Sequence, residues 1–128
     1  MYSPPIMEEP AMPPVLLIVE DRSDVGAAFA RYFRRYFGAV LVATSPSEAE
    51  RLLGSTPTPT HVICDYWLGD DQPVGSVLLP KWRREFGGIQ RGVIVSGSEI
   101  EEIQCPPGVD GVFAKPADMP AIRACLLS

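Results

Sequence analysis

VICDYWLGDD, residues 62–71, begins as an apolar run and drops into acid. Val62, Ile63 and Cys64 lead directly to Asp65, and the chain then turns through Gly69, Asp70 and Asp71. With His61 in front, HVICD has the length and composition of a strand buried on both faces of a sheet. Ending such a strand on a carboxylate poses a physical problem. An ionised carboxylate is rarely buried unless something pairs with it. Asp65 therefore requires a metal, a cation, or a reaction at its oxygen.

Outward from this stretch, two kinds of element alternate. VLLIV (15–19) is a second continuous apolar run, closed by Glu20 and Asp21. A helix is expected from Asp24 to Tyr36, because Val25, Phe29, Tyr32, Phe33 and Tyr36 recur at three- and four-residue intervals, with Ser23 as N-cap. Arg31, Arg34 and Arg35 occupy its other face. Gly38 stops it, and AVLVA (39–43) reads as a strand. Ser45 caps a short helix to Leu53, with Pro46 at its first position and Glu48 at the capping-box position. After the STPTPT loop and HVICD, a helix is expected over Val77–Phe86, then a strand GVIVS (92–96). A short helix over Glu99–Gln104 is cut by Pro106-Pro107. GVFAK (111–115) is the fifth strand, and a last helix follows from Asp118. Strands alternating with helices imply a parallel sheet covered by helices on both faces.

At 128 residues the chain suits one domain, here residues 15–128, behind a proline-rich tail of residues 1–14. A net charge of −5 disfavours a general nucleic-acid binder, which needs clustered Lys and Arg. Lys81, Arg83 and Arg84 beside Trp82 read as a solvated helix face. Cys64, Cys105 and Cys125 show no zinc spacing, and a reducing compartment is the natural reading. The N-terminus has neither a basic region nor a long apolar stretch, and Val15–Val19 is too short to span a bilayer. A cytoplasmic protein with no membrane partner is expected. His61, the only histidine, reads as a strand-edge residue.

In a doubly wound parallel sheet, ligands bind outside the carboxyl ends of the strands. This chain places Glu20-Asp21, Asp65, Ser96-Gly97-Ser98 and Lys115-Pro116 at those ends. Three carboxylates repel one another in a dry crevice, and a hard dication such as Mg²⁺ relieves that repulsion. With Mg²⁺ bound, Asp65 is placed to attack a phosphoryl group and form an aspartyl phosphate. Lys115 would neutralise a phosphoryl oxygen, Ser96 would donate to another, and Gly97 would leave room beside the group.

VLLIVED, VICDYWL, VIVSGS and FAKP resemble the four sequence blocks of the response-regulator receiver domain of two-component signalling. The resemblance runs over residues 15–127, and the spacings from Asp21 to Asp65 and from Asp65 to Ser96 are close to that family's. It implies a flavodoxin-like sheet of strand order 2-1-3-4-5. It also implies that Asp65 takes a phosphoryl group from a phosphohistidine on a sensor histidine kinase or a histidine-phosphotransfer protein. Asp21 would then bind Mg²⁺ directly, Glu20 through water, and Trp67 through its backbone carbonyl. Ser96 and Lys115 would contact the phosphoryl oxygens, and the Lys115–Pro116 peptide would be cis. Such a domain is not an enzyme beyond its own phosphorylation and dephosphorylation.

Two departures bear on output. The family's switch aromatic stands three residues before the lysine, where this chain has Val112, and Phe113 points to the opposite face of the strand. The interval from Ser96 to Lys115 is also about one helical turn short, which clips the fourth helix and puts dimerisation through it in question. They motivate an alternative, a phosphorylation-independent interaction module on the same fold. A hydrolase acting on an external phosphate ester fits less well, since Trp67 stands where a second catalytic acid would be needed.

Overall fold

The structure is a computed structural model and describes residues 13–97 and 105–128. Its five strands follow the apolar runs: β1 (Val15–Val19), β2 (Ala39–Ala43), β3 (His61–Asp65), β4 (Arg91–Ser96) and β5 (Gly111–Ala114). All pair in parallel, in the order β2-β1-β3-β4-β5. β1 and β3 are central and buried at every residue, which is why their sequences show no polar alternation. Edge strands β2 and β5 are only partly covered.

Among the described residues, four helices cover the sheet: α1 (Ser23–Phe33), α2 (Pro46–Leu53), α3 (Gly75–Glu85) and α4 (Met119–Leu126). Successive strand residues point to opposite faces and so feed two separate cores. Leu17, Val19, Val62 and Cys64 pack under α2 and α3 with Leu53, Leu79 and Trp82. Leu16, Ile18 and Ile63 pack under α1 and α4 with Phe29, Phe33, Ile122 and Leu126. None of the described helices is long and apolar enough to cross a membrane.

Helix boundaries depart from the expectations in instructive ways. Ser23 is the first residue of α1 and not its cap; Arg22 precedes the helix with no side-chain cap, and its N–H reaches Glu20 Oε2 at 3.4 Å. α1 ends at Phe33, although the aromatic period runs on. A turn bonds Tyr36 N–H to Phe33 O, and Phe37 folds back into the core edge-on to His61. α2 begins as read, with Ser45 Oγ accepting the Glu48 N–H at 3.2 Å. α3 starts two residues early, at Gly75. A Cβ there would lie 2.4 Å from the Asp65 carbonyl oxygen, so only glycine lets the helix begin against the end of β3. Asp118 caps α4 by accepting the Ala121 N–H. The short helix expected over residues 99–104 lies outside the described residues. So does most of the proline-rich tail; its last two residues are described, and Pro14 O accepts the Gly38 N–H at 2.8 Å.

Arg83 is not part of a merely solvated face. Its guanidinium donates to Asp110 Oδ2 at 2.8 Å and to the carbonyls of Gly108 and Gln90. Asp110 also accepts the Gly92 N–H and lies 3.7 Å from Arg91, so one carboxylate ties α3 to the entry of β4 and β5.

His61 is buried, shares a 2.8 Å hydrogen bond with Thr60 Oγ1, and is lowered from its ordinary pKa of 6.5. Burial is the main cause; the Leu126 backbone opposes it and the Arg91 charge adds to it. The fold therefore favours neutral imidazole, and this contribution to stability is present above pH 6.5 and lost as pH falls through the lowered value. Urea midpoints measured from pH 7.5 to 5 should fall more steeply for the native chain than for His61→Gln. Parallel curves would remove His61 from that account.

Candidate functional site

Because the strands are parallel, their carboxyl ends share one edge, and the ladder continues a residue past β1, β3 and β5. Glu20 N–H donates to Ala43 O at 2.9 Å, Tyr66 N–H to Val95 O at 2.8 Å, and Lys115 N–H to Ser96 O at 2.8 Å. The register sets Val19 beside Cys64, Asp65 beside Val95 and Ser96 beside Ala114. Glu20, Asp65, Ser96 and Lys115 are thus brought abreast by backbone bonds, before any side chain interacts.

The side chains meet. Glu20, Asp21 and Asp65 each offer a carboxylate oxygen, and these oxygens all lie within 4.8 Å of one another. Glu20 is buried to 2% exposure and Asp65 to 6%, whereas Asp21 faces solvent. Lys115 Nζ donates to Glu20 Oε1 at 2.5 Å and sits 3.3 Å from Asp65 Oδ2. Ser96 is buried at the end of the adjacent strand, and Gly97 beyond it borders open space. Trp67 follows on the turn after Asp65 with half its surface exposed. Asp70 and Asp71 are exposed and stand outside the carboxylate group. The Lys115–Pro116 peptide is cis, as the resemblance implies.

The charges are out of balance. Burial raises the Glu20 pKa first and Asp65 raises it further, while Lys115 and Asp21 oppose them. Asp21 is raised too, by burial and then by Glu20. For Lys115, burial pulls the ammonium down, but the Glu20 hydrogen bond and the charges of Asp65 and Glu20 outweigh it, and the net shift is upward. Cys64, immediately behind Asp65, has its thiol pushed far up by burial and is a packing residue. Three carboxylates against one ammonium leave two negative charges when all are ionised. The oxygen donor set fits a hard divalent cation.

Two features of the site went unread in the sequence. Gly75 gives the Asp65 backbone its clearance, and its N–H donates to Tyr66 O at 2.7 Å. A groove of about 350 Å³ also opens beside Lys115, lined by Val25, Phe29, Pro116, Ala117 and Met119. Neither has a local signature, since each arises where distant segments meet.

Among solved structures, the chain is similar to the signal receiver domain of an HD domain-containing protein from Pseudomonas fluorescens Pf-5. The TM-score is 0.75 at 17% identity, over 89% of this chain and 91% of that one. It is similar also to a CheY-like response regulator receiver domain protein from Methanospirillum hungatei JF-1, at TM-score 0.71 and 19% identity, over 87% of this chain and 88% of that one. The fold is that of a response-regulator receiver domain. A third similar structure is a response regulator from Burkholderia pseudomallei with a phosphorylated aspartic acid, a calcium ion and citrate. There the TM-score is 0.71 at 24% identity, and 88% of this chain aligns with 66% of that one. No protein-family model and no curated protein matches the chain. On the receiver fold, β3 is the central strand and Asp65 stands at its carboxyl end.

The raised carboxylates fix the sign of a metal effect. Ionising Glu20 and Asp21 costs the folded state more than the unfolded one, and a bound dication offsets that cost. Millimolar Mg²⁺ should raise Tm by roughly 3–5 °C at pH 7.5 and by less near pH 5. Asp21→Asn should raise the metal-free Tm and abolish the Mg²⁺ increment. An unchanged increment in that variant would remove Asp21 from the metal site.

Proposed function

We propose that the chain is a phosphoacceptor in a two-component signalling system, with Asp65 as the residue phosphorylated. The observation that carries this reading is the placing of one buried carboxylate, Asp65, 3.3 Å from the Lys115 ammonium and within 4.8 Å of two further carboxylates. The Burkholderia response regulator with its phosphorylated aspartic acid and calcium ion supports it.

Glu20, Asp21, Asp65 and the Trp67 backbone carbonyl would hold Mg²⁺. When bound, the ion supplies neutralisation of charge on the phosphoryl oxygens. The chain's own residues do the rest. An Asp65 carboxylate oxygen attacks phosphorus in line with the donor's phosphohistidine nitrogen; the P–O bond forms, the P–N bond breaks, and the leaving imidazole takes up a proton. Lys115 neutralises one phosphoryl oxygen and the Ser96 hydroxyl donates to another, so charge is met by preset donors. The donor is a sensor histidine kinase or a histidine-phosphotransfer protein, and the chain acts catalytically only on itself.

One observation favours the second reading, a phosphorylation-independent interaction module. Val112 packs toward α2 and α3, while Phe113 packs toward α1 and α4. The ring beside the expected switch position is thus committed to the other face of the sheet, and it cannot swing toward Ser96 as a substitute.

Incubating the chain with Mg²⁺ and a small acyl phosphate should add one phosphoryl group, seen by intact mass, and Asp65→Asn should abolish that uptake with the fold intact by circular dichroism. Uptake persisting in the variant would rule out the assignment; none in the native chain would favour the interaction module. Lys115→Ala should retain Mg²⁺ binding within a few-fold while losing most of the conformational response to beryllofluoride. Equal loss of both would count against its role at the phosphoryl oxygens.

A further inference from the structure

Away from the carboxylates, α1 and α4 meet along a seam that collects positive charge and leaves it unanswered. Residues 25–47 contain Arg31, Arg34 and Arg35 and no acid, and residues 119–128 contain Arg123 and no acid, in a chain of net charge −5. Among the described residues, none of these four arginines lies within salt-bridge distance of a carboxylate. Arg31, Arg34 and Arg35 are exposed. Arg123 is held in place by phenols instead. Its Nη1 donates to Tyr32 Oη at 2.9 Å and to Tyr36 Oη at 2.5 Å. The guanidinium lies 4.5 Å from the Tyr36 ring centre and 5.9 Å from that of Tyr32. All three side chains are half-buried, so the cation is fixed in position and still reached from outside. The seam lies toward the amino edge of the sheet. Tyr36 stands just before β2, and the Cys125 carbonyl, on the same turn of α4 as Arg123, accepts from Arg91 at the start of β4.

We propose that this seam docks an acidic segment of a partner protein, with one partner carboxylate on Arg123, Tyr32 and Tyr36 and further acids met by Arg31 and Arg35. A phenol oxygen that accepts from Arg123 keeps its own O–H to donate, and the guanidinium keeps the donors of its other nitrogens. An ionised carboxylate only accepts, and its bond to arginine is charge-assisted. Tyrosine and arginine are also the side chains enriched at the energetic centres of protein interfaces, and exposed Leu127 adds apolar surface at the end of α4. Nucleic acid fits less well, because four arginines make a short track for a phosphate backbone and the net charge opposes it. A bilayer surface fits less well too, since one exposed leucine gives it little apolar area to enter. The seam stands away from Asp65, so this docking goes beyond phosphoryl transfer and does not depend on it.

The test uses the full chain and two fluorescein-labelled peptides, one of mixed glutamate and alanine, the other with glutamine in place of glutamate. Anisotropy should show saturable binding of the acidic peptide, about ten-fold tighter than that of the glutamine peptide and weakening as sodium chloride is raised. Arg123→Gln should weaken it about ten-fold, and Arg31→Gln combined with Arg35→Gln about five-fold. Arg84→Gln, on α3, should leave it unchanged. Asp65→Asn should leave it unchanged as well, which separates this outcome from the phosphoacceptor reading. Arg123 also joins α1 to α4; should its variant fail to fold by circular dichroism, the exposed Arg31 and Arg35 decide. Absence of saturable binding, equal binding of the two peptides, or binding indifferent to these arginines would overturn the proposal. So would tighter binding of single-stranded DNA or of phosphatidylglycerol vesicles than of the acidic peptide.

Discussion

Three carboxylates and one ammonium at the carboxyl edge of a parallel sheet set the terms for the rest of this molecule. Two unit charges 4.8 Å apart interact by about 3–4 kcal/mol at the dielectric suited to a partly exposed protein site. Each carboxylate pair pushes with about that strength, and Lys115 answers with two closer contacts, at 2.5 Å to Glu20 and 3.3 Å to Asp65. The charge count still does not close, and two negative charges are left over when all four groups are ionised. Under the proposed phosphoacceptor reading, the acids are there to receive positive charge from outside.

That arrangement survives because the backbone leaves it no alternative. Ladder hydrogen bonds run past the ends of the strands, so Glu20 and Lys115 have their N–H groups fixed on neighbouring strands. Gly75 lets α3 start directly behind Asp65, where any Cβ would run into the Asp65 carbonyl oxygen. At the other end of the sheet, Asp110 pins Arg83, Arg91 and the Gly92 N–H. The edge that carries the charges is held by backbone, and the opposite edge by a side-chain knot.

Much of this was legible in the sequence, and the exceptions share a cause. The strands could be read because central parallel strands need apolar residues at every position, and VLLIV and HVICD supply them. The site could be read because parallel strands must end on one edge, so residues after the apolar runs become neighbours without further information. What misled was periodicity taken alone: Tyr36 continues the aromatic spacing of α1, but the chain has already turned there. Gly75 and Asp110 went unread because each matters through a contact with a distant segment. The immediate neighbour of Lys115 was also beyond sequence reading. Strand ends place Lys115 near both Glu20 and Asp65, and only side-chain geometry puts it closer to Glu20.

That preference for Glu20 couples the two halves of the chemistry. Glu20 is almost wholly buried, so its carboxylate is costly unless partnered, and in this structure Lys115 partners it. A phosphoryl group on Asp65 would remove that carboxylate's charge and add up to two in its place. Lys115 can turn toward the new oxygens only if something else answers Glu20. A cation among Glu20, Asp21 and Asp65 does so and releases the ammonium in one event. On the proposed reading, the cation would take over Glu20 and the lysine so released would serve the phosphoryl oxygens, which orders the two events without making the cation's hold depend on the lysine.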